Sequence, residues 1–223
     1  SSHEQYALAA IAAGKPVYVE KPMAHNYAAA KNMADVAAAK NSKMVLAHYR
    51  REWPLFKKLK ELIDSEKIAW RINPAISGGG LFHDLAPHQL DILFYLFGEA
   101  KKIAGISTNQ SATYLADDLV AGSILFKNDI AFSGAWYFNA HNDEDYCEIT
   151  GSNGIIKFSF FKPTGIEVVA NNSTVNYGFD ILQHVQQPMI EKTVQYFLSK
   201  AANPCSAYEG VECMRWIEEF VKK

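Results

Sequence analysis

From Lys101 onward, apolar residues fall at every second position, and this change of period restricts the possible folds more than any other feature of the chain. Ile130, Phe132, Gly134, Trp136 and Phe138 alternate with small or polar residues, as in a strand that buries one face. Ile103 to Ser107, Leu119 to Phe126, Asp145 to Thr150, Ile155 to Phe160 and Ile166 to Ala170 read as further strands. Asn128-Asp129, His141-Asn142-Asp143, Gly151-Ser152-Asn153-Gly154 and Pro163-Thr164-Gly165 carry the turn chemistry between them. The pattern predicts a large, mostly antiparallel sheet with one apolar face.

Upstream the organisation differs. His3 to Ala13 reads as a helix closed by Gly14, and Pro16 to Val19 as a short buried strand. Asn26 is placed to cap an alanine-rich helix running to Lys40, and Lys43 to Ala47 reads as a second short strand. Alternation of this kind predicts a parallel sheet covered on both faces, with ligands at the carboxyl ends of its strands. Those ends carry Glu20-Lys21-Pro22 and His48-Tyr49-Arg50-Arg51. A helix opening at Trp53-Pro54 turns Leu55, Leu59, Leu62 and Ile63 to one side. Two more close the chain, Gln186 to Ala201 and Tyr208 to Val221, the latter with Val211, Met214, Arg215 and Ile217 near one side.

With 223 residues, 49% of them hydrophobic, the chain can bury one large or two modest cores. A net charge of -2 without a basic run argues against nucleic acid as a partner. No apolar stretch reaches the roughly 18 to 20 residues of a membrane span. Cys147, Cys205 and Cys213 lack Cys-x-x-Cys spacing, so they are expected to be reduced packing residues in a cytoplasmic protein. Asp117-Asp118 is read as a turn, and no metal site is expected.

Acid/base equipment is concentrated in one stretch. Gly78-Gly79-Gly80 allows close backbone approach, and an amphipathic run from Asp84 to Phe97 follows. On a helix Asp84 and His88 share a face, with Asp91 one turn further along. A carboxylate beside an imidazole fixes its tautomer and favours its protonated form. Spacing alone favours a plainer arrangement, Asp84 as a helix cap and His88 as a satisfied buried histidine. The glycines and the continuation Leu90-Asp91-Ile92-Leu93-Phe94-Tyr95-Leu96-Phe97-Gly98 tilt the balance toward a site.

The run Gly79-Gly80-x-x-x-Asp84-x-x-x-His88-x-x-Asp91 resembles the central motif of the glucose-fructose oxidoreductase / inositol dehydrogenase / MocA family. Glu20-Lys21-Pro22, after Gly14-Lys15-Pro16-Val17-Tyr18-Val19, resembles a second signature of that family, in the expected order. The resemblance runs from His3 to the C-terminus. It implies an α/β plus α+β fold: the C-terminal part of a Rossmann-like parallel sheet in residues 1–50, then a substrate and oligomerisation domain in residues 51–223. That second domain would hold the large open-faced sheet, with helices on one side. It also implies NAD or NADP as cofactor and a polyol, sugar or sugar acid as substrate. Hydride transfer would then have His88 as proton acceptor, Asp84 orienting its ring, and Lys21 beside the nicotinamide and the substrate oxygen. The Lys21-Pro22 bond is commonly cis in such proteins.

His3, Glu20, Lys21, Trp70 and Arg71 are the expected cofactor contacts, and Tyr49, Arg50 and Tyr137 the expected substrate contacts. Without the resemblance, Lys21 reads as a solvated lysine, and Trp70-Arg71 as a core tryptophan beside a snorkelling arginine. The open sheet face would join copies into a homodimer or homotetramer. Two departures stand out. G-x-G-x-x-G is absent, so the chain is expected to start within the nucleotide domain. Glu66-Lys67-Ile68 also passes directly to Ala69-Trp70, where the family has a strand and a variable loop, so a stretch is expected to be missing there. A catalytically idle ligand-binding or regulatory relative is the rival reading, and a biliverdin-reductase-like enzyme a third.

Overall fold

The computed structural model describes residues 2–65, 71–73, 82–112 and 116–222. Helix α1 (Ser2–Ala12) ends where expected, at Gly14, whose φ of 69° is one that a side chain would disfavour. Strand β1 (Val17–Val19) follows, then α2 (Tyr27–Ala39), whose Ala29 N–H donates to the Asn26 side chain at 2.8 Å. Strand β2 (Met44–Leu46) lies parallel to β1, pairing Val17 with Met44 and Val19 with Leu46. Both strands are shorter than their apolar runs because only three residues of each find ladder partners. Ala29, Ala30, Met33 and Ala37 bury one face of α2.

A 3-10 turn (Tyr49–Glu52) leads into α3 (Pro54–Ser65), which buries Leu55, Leu59 and Ile63, with Leu62 at the edge of the core. Strand β3 (Arg71–Asn73) and α4 (Phe82–Phe97) precede the large sheet. Its remaining strands are β4 (Ala100–Thr108), β5 (Leu119–Phe126), β6 (Ala131–Tyr137), β7 (Cys147–Gly151), β8 (Gly154–Phe158), β9 (Gly165–Ala170) and β10 (Ser173–Gly178). The spatial order is β10-β9-β8-β7-β3-β6-β5-β4, antiparallel except where β3 runs parallel to β6. Two of these strands carry no readable period. Three residues of β3 are too few to show alternation, and β10, an edge strand, is nearly all exposed and needs no apolar face.

Helices α5 (Gln187–Phe197) and α6 (Ala207–Val221) end the described chain. Ser206 and Glu209 form a reciprocal capping box at the start of α6. This helix packs beside α4 on the inner face of the large sheet and also against α2 and β2, so it ties the two sheets together. The approach is close at both ends. A Cβ on Gly105 would stand 2.5 Å from the Phe220 backbone, and one on Gly210 would stand 2.6 Å from Leu46 Cγ. Phe82, Trp136 and Phe220 pack ring against ring between the layers, with Phe126 and Trp216 nearby.

The opposite face of the sheet has no described layer over it. There Ile106 is 68% exposed and Tyr137 44% exposed, beside a shallow depression formed by Ala104, Ala121, Ser123 and Ser133. The three cysteines are free and buried, and burial pushes each thiol's pKa up. Asp118 holds a turn, accepting from the Gln110 and Ser111 N–H groups at 2.6 and 2.8 Å. Among the described residues no helix is long and apolar enough to cross a membrane, and no group of histidine, cysteine and carboxylate side chains is set to hold a metal.

Candidate active site

Lys21 leaves the carboxyl end of β1 through a cis Lys21-Pro22 bond and crosses to the first turn of α4. Its ammonium donates to Asp84 Oδ1 at 2.6 Å and to the Asp84 carbonyl at 2.9 Å. In a helix that carbonyl faces the N–H of the fourth residue on, here His88. Two motifs 63 residues apart in sequence therefore meet. The lysine side chain is 14% exposed, well removed from the solvated state it would have at an ordinary strand end.

His88 is 5% exposed, and its Nδ1 is buried without a partner. Tyr49 meets the imidazole edge-on with ring centroids 5.3 Å apart, and Phe161 stands at 6.2 Å. Burial pushes the pKa of His88 down to about 2, helped by the charges of Arg50 and Lys21 and by the neighbouring His48. This corrects two expectations. The Asp84 carboxylate reaches Lys21 instead of orienting the imidazole, and the charges facing His88 are positive, so its neutral form is favoured. Asp84 also lies inside the first turn of α4, which begins at Phe82, so it is not the residue before the helix.

Asp91 turns away from this group into the interior. It takes Arg51 Nε at 2.9 and 2.8 Å on its two oxygens, and Arg51 also reaches Glu209 at 2.5 Å. His48 Nδ1 lies 3.7 Å from the same carboxylate. The cluster fastens the turn after β2 to α4 and α6. Its signal in the sequence was the pair Arg50-Arg51, which the fold separates: Arg51 faces this network and Arg50 faces His88.

The other expected site residues divide. His3 Nδ1 donates to the Pro22 carbonyl at 3.1 Å, steadying the segment that carries Lys21. Glu20 accepts from Gln186 at 3.2 Å and from the Lys21 N–H at 3.3 Å, at the same strand end. Tyr49 and Arg50 stand beside His88. Tyr137 does not: its neighbour Trp136 donates to Gln89 of α4 at 2.5 Å, so Tyr137 points out through the open face. Arg71 lies in β3 in register with Ala131 and Thr150, whereas Trp70 and Gly78-Gly79-Gly80 fall outside the described residues. Phe161 had no signal beyond an aromatic pair at a strand end.

Comparison with known proteins identifies the family. A family model for the GFO/IDH/MocA C-terminal domain matches residues 27–157, and one for the oxidoreductase family with an NAD-binding Rossmann fold matches residues 1–49. An oxidoreductase of Formosa agariphila is 45% identical over 99% of this chain and 75% of its own length. The chain belongs to the GFO/IDH/MocA family. Two further relatives are more distant from it in sequence. The inositol 2-dehydrogenase of Burkholderia multivorans is 26% identical over 77% of the chain, which spans 56% of that enzyme. An oxidoreductase of Agrobacterium radiobacter, solved with NAD+, L-tartaric acid and magnesium, shares the fold with a TM-score of 0.80. It is 15% identical, with 97% of this chain and 73% of that one covered.

Membership makes the chain an oxidoreductase with NAD or NADP as its cofactor. The residues present fit one end of that molecule. Lys21, Glu20 and His3 gather at the carboxyl end of β1, and a buried, partnerless Nδ1 on His88 lies beyond them, which suits the polar edge of a nicotinamide and the atoms that react with it.

Proposed function

We propose that the protein transfers a hydride between the nicotinamide and a carbinol or carbonyl carbon of a polyol, sugar or sugar derivative. One observation carries the reading: the Lys21 ammonium is pinned against the first turn of α4, beside a neutral, buried His88. The bound nicotinamide supplies the hydride acceptor or donor. Lys21 places a fixed positive charge where the substrate oxygen becomes negative, and Asp84 holds that charge in position. His88 takes the hydroxyl proton as the O–H bond breaks, and returns it in the reverse direction. The oxyanion then provides the negative neighbour that Asp84, occupied by Lys21, does not, and so raises the imidazole's affinity for the proton.

A polyol or sugar suits the polar groups gathered at the strand ends, and the Burkholderia relative is named for inositol. In this reading residues 1–50 supply the nicotinamide side, with Tyr49 and Arg50 reaching the substrate, and residues 51–223 the rest of the substrate side. The open sheet face pairs copies into a homodimer or homotetramer, and the reduced, buried thiols suit the cytoplasm. The test is turnover by the full-length protein with NAD+ or NADP+ and a panel of polyols and aldoses. Lys21→Ala and His88→Ala are each expected to lose about 10²- to 10⁴-fold in kcat. Turnover unchanged by both variants, or none with any substrate, overturns the reading and leaves a catalytically idle binding protein.

A further inference from the structure

Between the end of β8 and the start of β9 the chain leaves the sheet, and a side chain from another loop supplies acceptors to its donors. Asp145, two residues before β7, accepts from the Phe160 and Phe161 N–H groups at 3.2 and 2.5 Å and from the Ser159 hydroxyl. Ser159 Oγ in turn accepts from the Lys162 N–H at 2.9 Å. An ionised carboxylate has acceptor sites for all three of its donors, and bonds to a charged acceptor are stronger than those between neutral groups. These bonds also fix which way two adjacent rings face. Phe160 is 1% exposed and stacks on Phe56 in the core with ring centroids 6.1 Å apart. Phe161 faces the site, edge-on to His88 at 6.2 Å and 4.8 Å from the Arg50 guanidinium carbon. Arg50 Nη1 donates to the Phe160 carbonyl at 2.8 Å, a second tie on the same turn.

We infer that Asp145 is a positioning residue for hydride transfer, holding Phe161 as a wall that fixes the His88 ring and keeps water from it. The inference rests on the hydride-transfer reading and adds to it a residue that acts on the reaction only through Phe161. A histidine that moves a proton is ordinarily oriented by a hydrogen bond at its second nitrogen. His88 Nδ1 has no such partner, so the ring's rotation is left to the aromatic side chains packed against it, Tyr49 at 5.3 Å and Phe161. Tyr49 belongs to the turn after β2, whereas Phe161 stands on a segment outside the sheet and depends on the turn that Asp145 closes. The charge of the acid matters as well as its shape. An asparagine at this position would offer one oxygen and an NH2 group, itself a donor, to a turn that presents three donors. A small misplacement of the imidazole is costly, because proton transfer needs the ring nitrogen within hydrogen-bond reach of the substrate hydroxyl.

The experiment is modification of the full-length protein with diethyl pyrocarbonate, which acylates accessible neutral imidazoles, read at His88 by peptide mass spectrometry and set beside turnover of the polyol and aldose panel. Asp145→Ala and Phe161→Ala are each expected to label His88 at least about tenfold faster than the wild type, where the residue is 5% exposed. Each is expected to lose about 10- to 100-fold in kcat while the KM for the nicotinamide cofactor stays within about twofold. The double variant should lose no more than Phe161→Ala alone, since both changes remove one wall. Asp145→Asn is expected to follow Asp145→Ala. Unchanged labelling in Asp145→Ala, a lower Tm with kcat intact, or losses that multiply in the double variant would overturn the inference. Should Asp145→Ala fail to fold, Phe161→Ala and Ser159→Ala decide, the first removing the wall and the second one of its ties; labelling unchanged in both overturns it. Faster labelling in a protein that turns over no substrate removes the hydride-transfer reading and leaves the hold of Asp145 on the wall. Wild-type turnover with labelling and kcat unaltered in the variants does the reverse.

Discussion

At the scale of single residues, the site depends on which charge faces which group. His88 was expected beside a carboxylate and stands instead beside Arg50 and Lys21, because Lys21 claims Asp84. Helical spacing announced that Asp84 and His88 share a face but contained nothing about Lys21, which arrives from another element. The consequence appears in stability. Burial holds the folded pKa of His88 at about 2, against 6.5 for a free histidine, and buried His48 is lowered too, first by its own burial. Below pH 6.5 the unfolded chain therefore takes up protons that the fold refuses. The stability His88 contributes is full above that pH and is lost as pH falls toward 2, by up to about 1.4 kcal/mol per pH unit, and the lowering of His48 acts in the same direction. A series of melting curves from about pH 7.5 to 5 should show Tm falling, with a shallower fall in His88→Gln. Equal slopes in the two proteins would contradict the assignment of a buried neutral imidazole.

At the scale of elements, long amphipathic or alternating segments were legible in the sequence, and short or polar ones were not. Strands β5 and β6 and helix α4 appear within two residues of their expected bounds, since each has enough residues to show a period. The capping box of α6 passed unnoticed although Ser206 and Glu209 have the required spacing. The helix was expected only as a structural end to the chain, yet it covers the part of the sheet that α4 leaves bare and fastens β2 to β4. That role depends on the absence of side chains at Gly105 and Gly122. A methyl at Gly105 meets the Phe220 backbone, which has no flexible end to move aside. Gly105→Ala is expected to destabilise by about 1–3 kcal/mol in denaturant titration, as overpacking does. A change below about 0.5 kcal/mol would show that α6 does not sit this close to the sheet.

At the scale of the whole molecule, two surfaces lie apart. The site lies between the carboxyl ends of β1 and β2 and the start of α4, whereas the open face lies on the far side of the large sheet. Its alternation was legible, but which face would stay uncovered was not, because that depends on where α6 returns. Tyr137, expected at the substrate, belongs to this face, and the error has a simple cause: one step along a strand reverses the side. If the face joins copies, Ile106→Lys should shift the protein toward monomer in sedimentation velocity while leaving a folded far-ultraviolet spectrum. A wild-type monomer would rule the face out as an interface. The central claim concerns the other surface, where a lysine from the nucleotide side and a histidine from the substrate side handle one oxygen. It is tested most directly by single-turnover transfer of deuterium from a carbon-deuterated substrate to NAD+. The account predicts labelled cofactor with the wild type and a rate about 10²- to 10⁴-fold lower with His88→Ala. Undiminished transfer in that variant would contradict it.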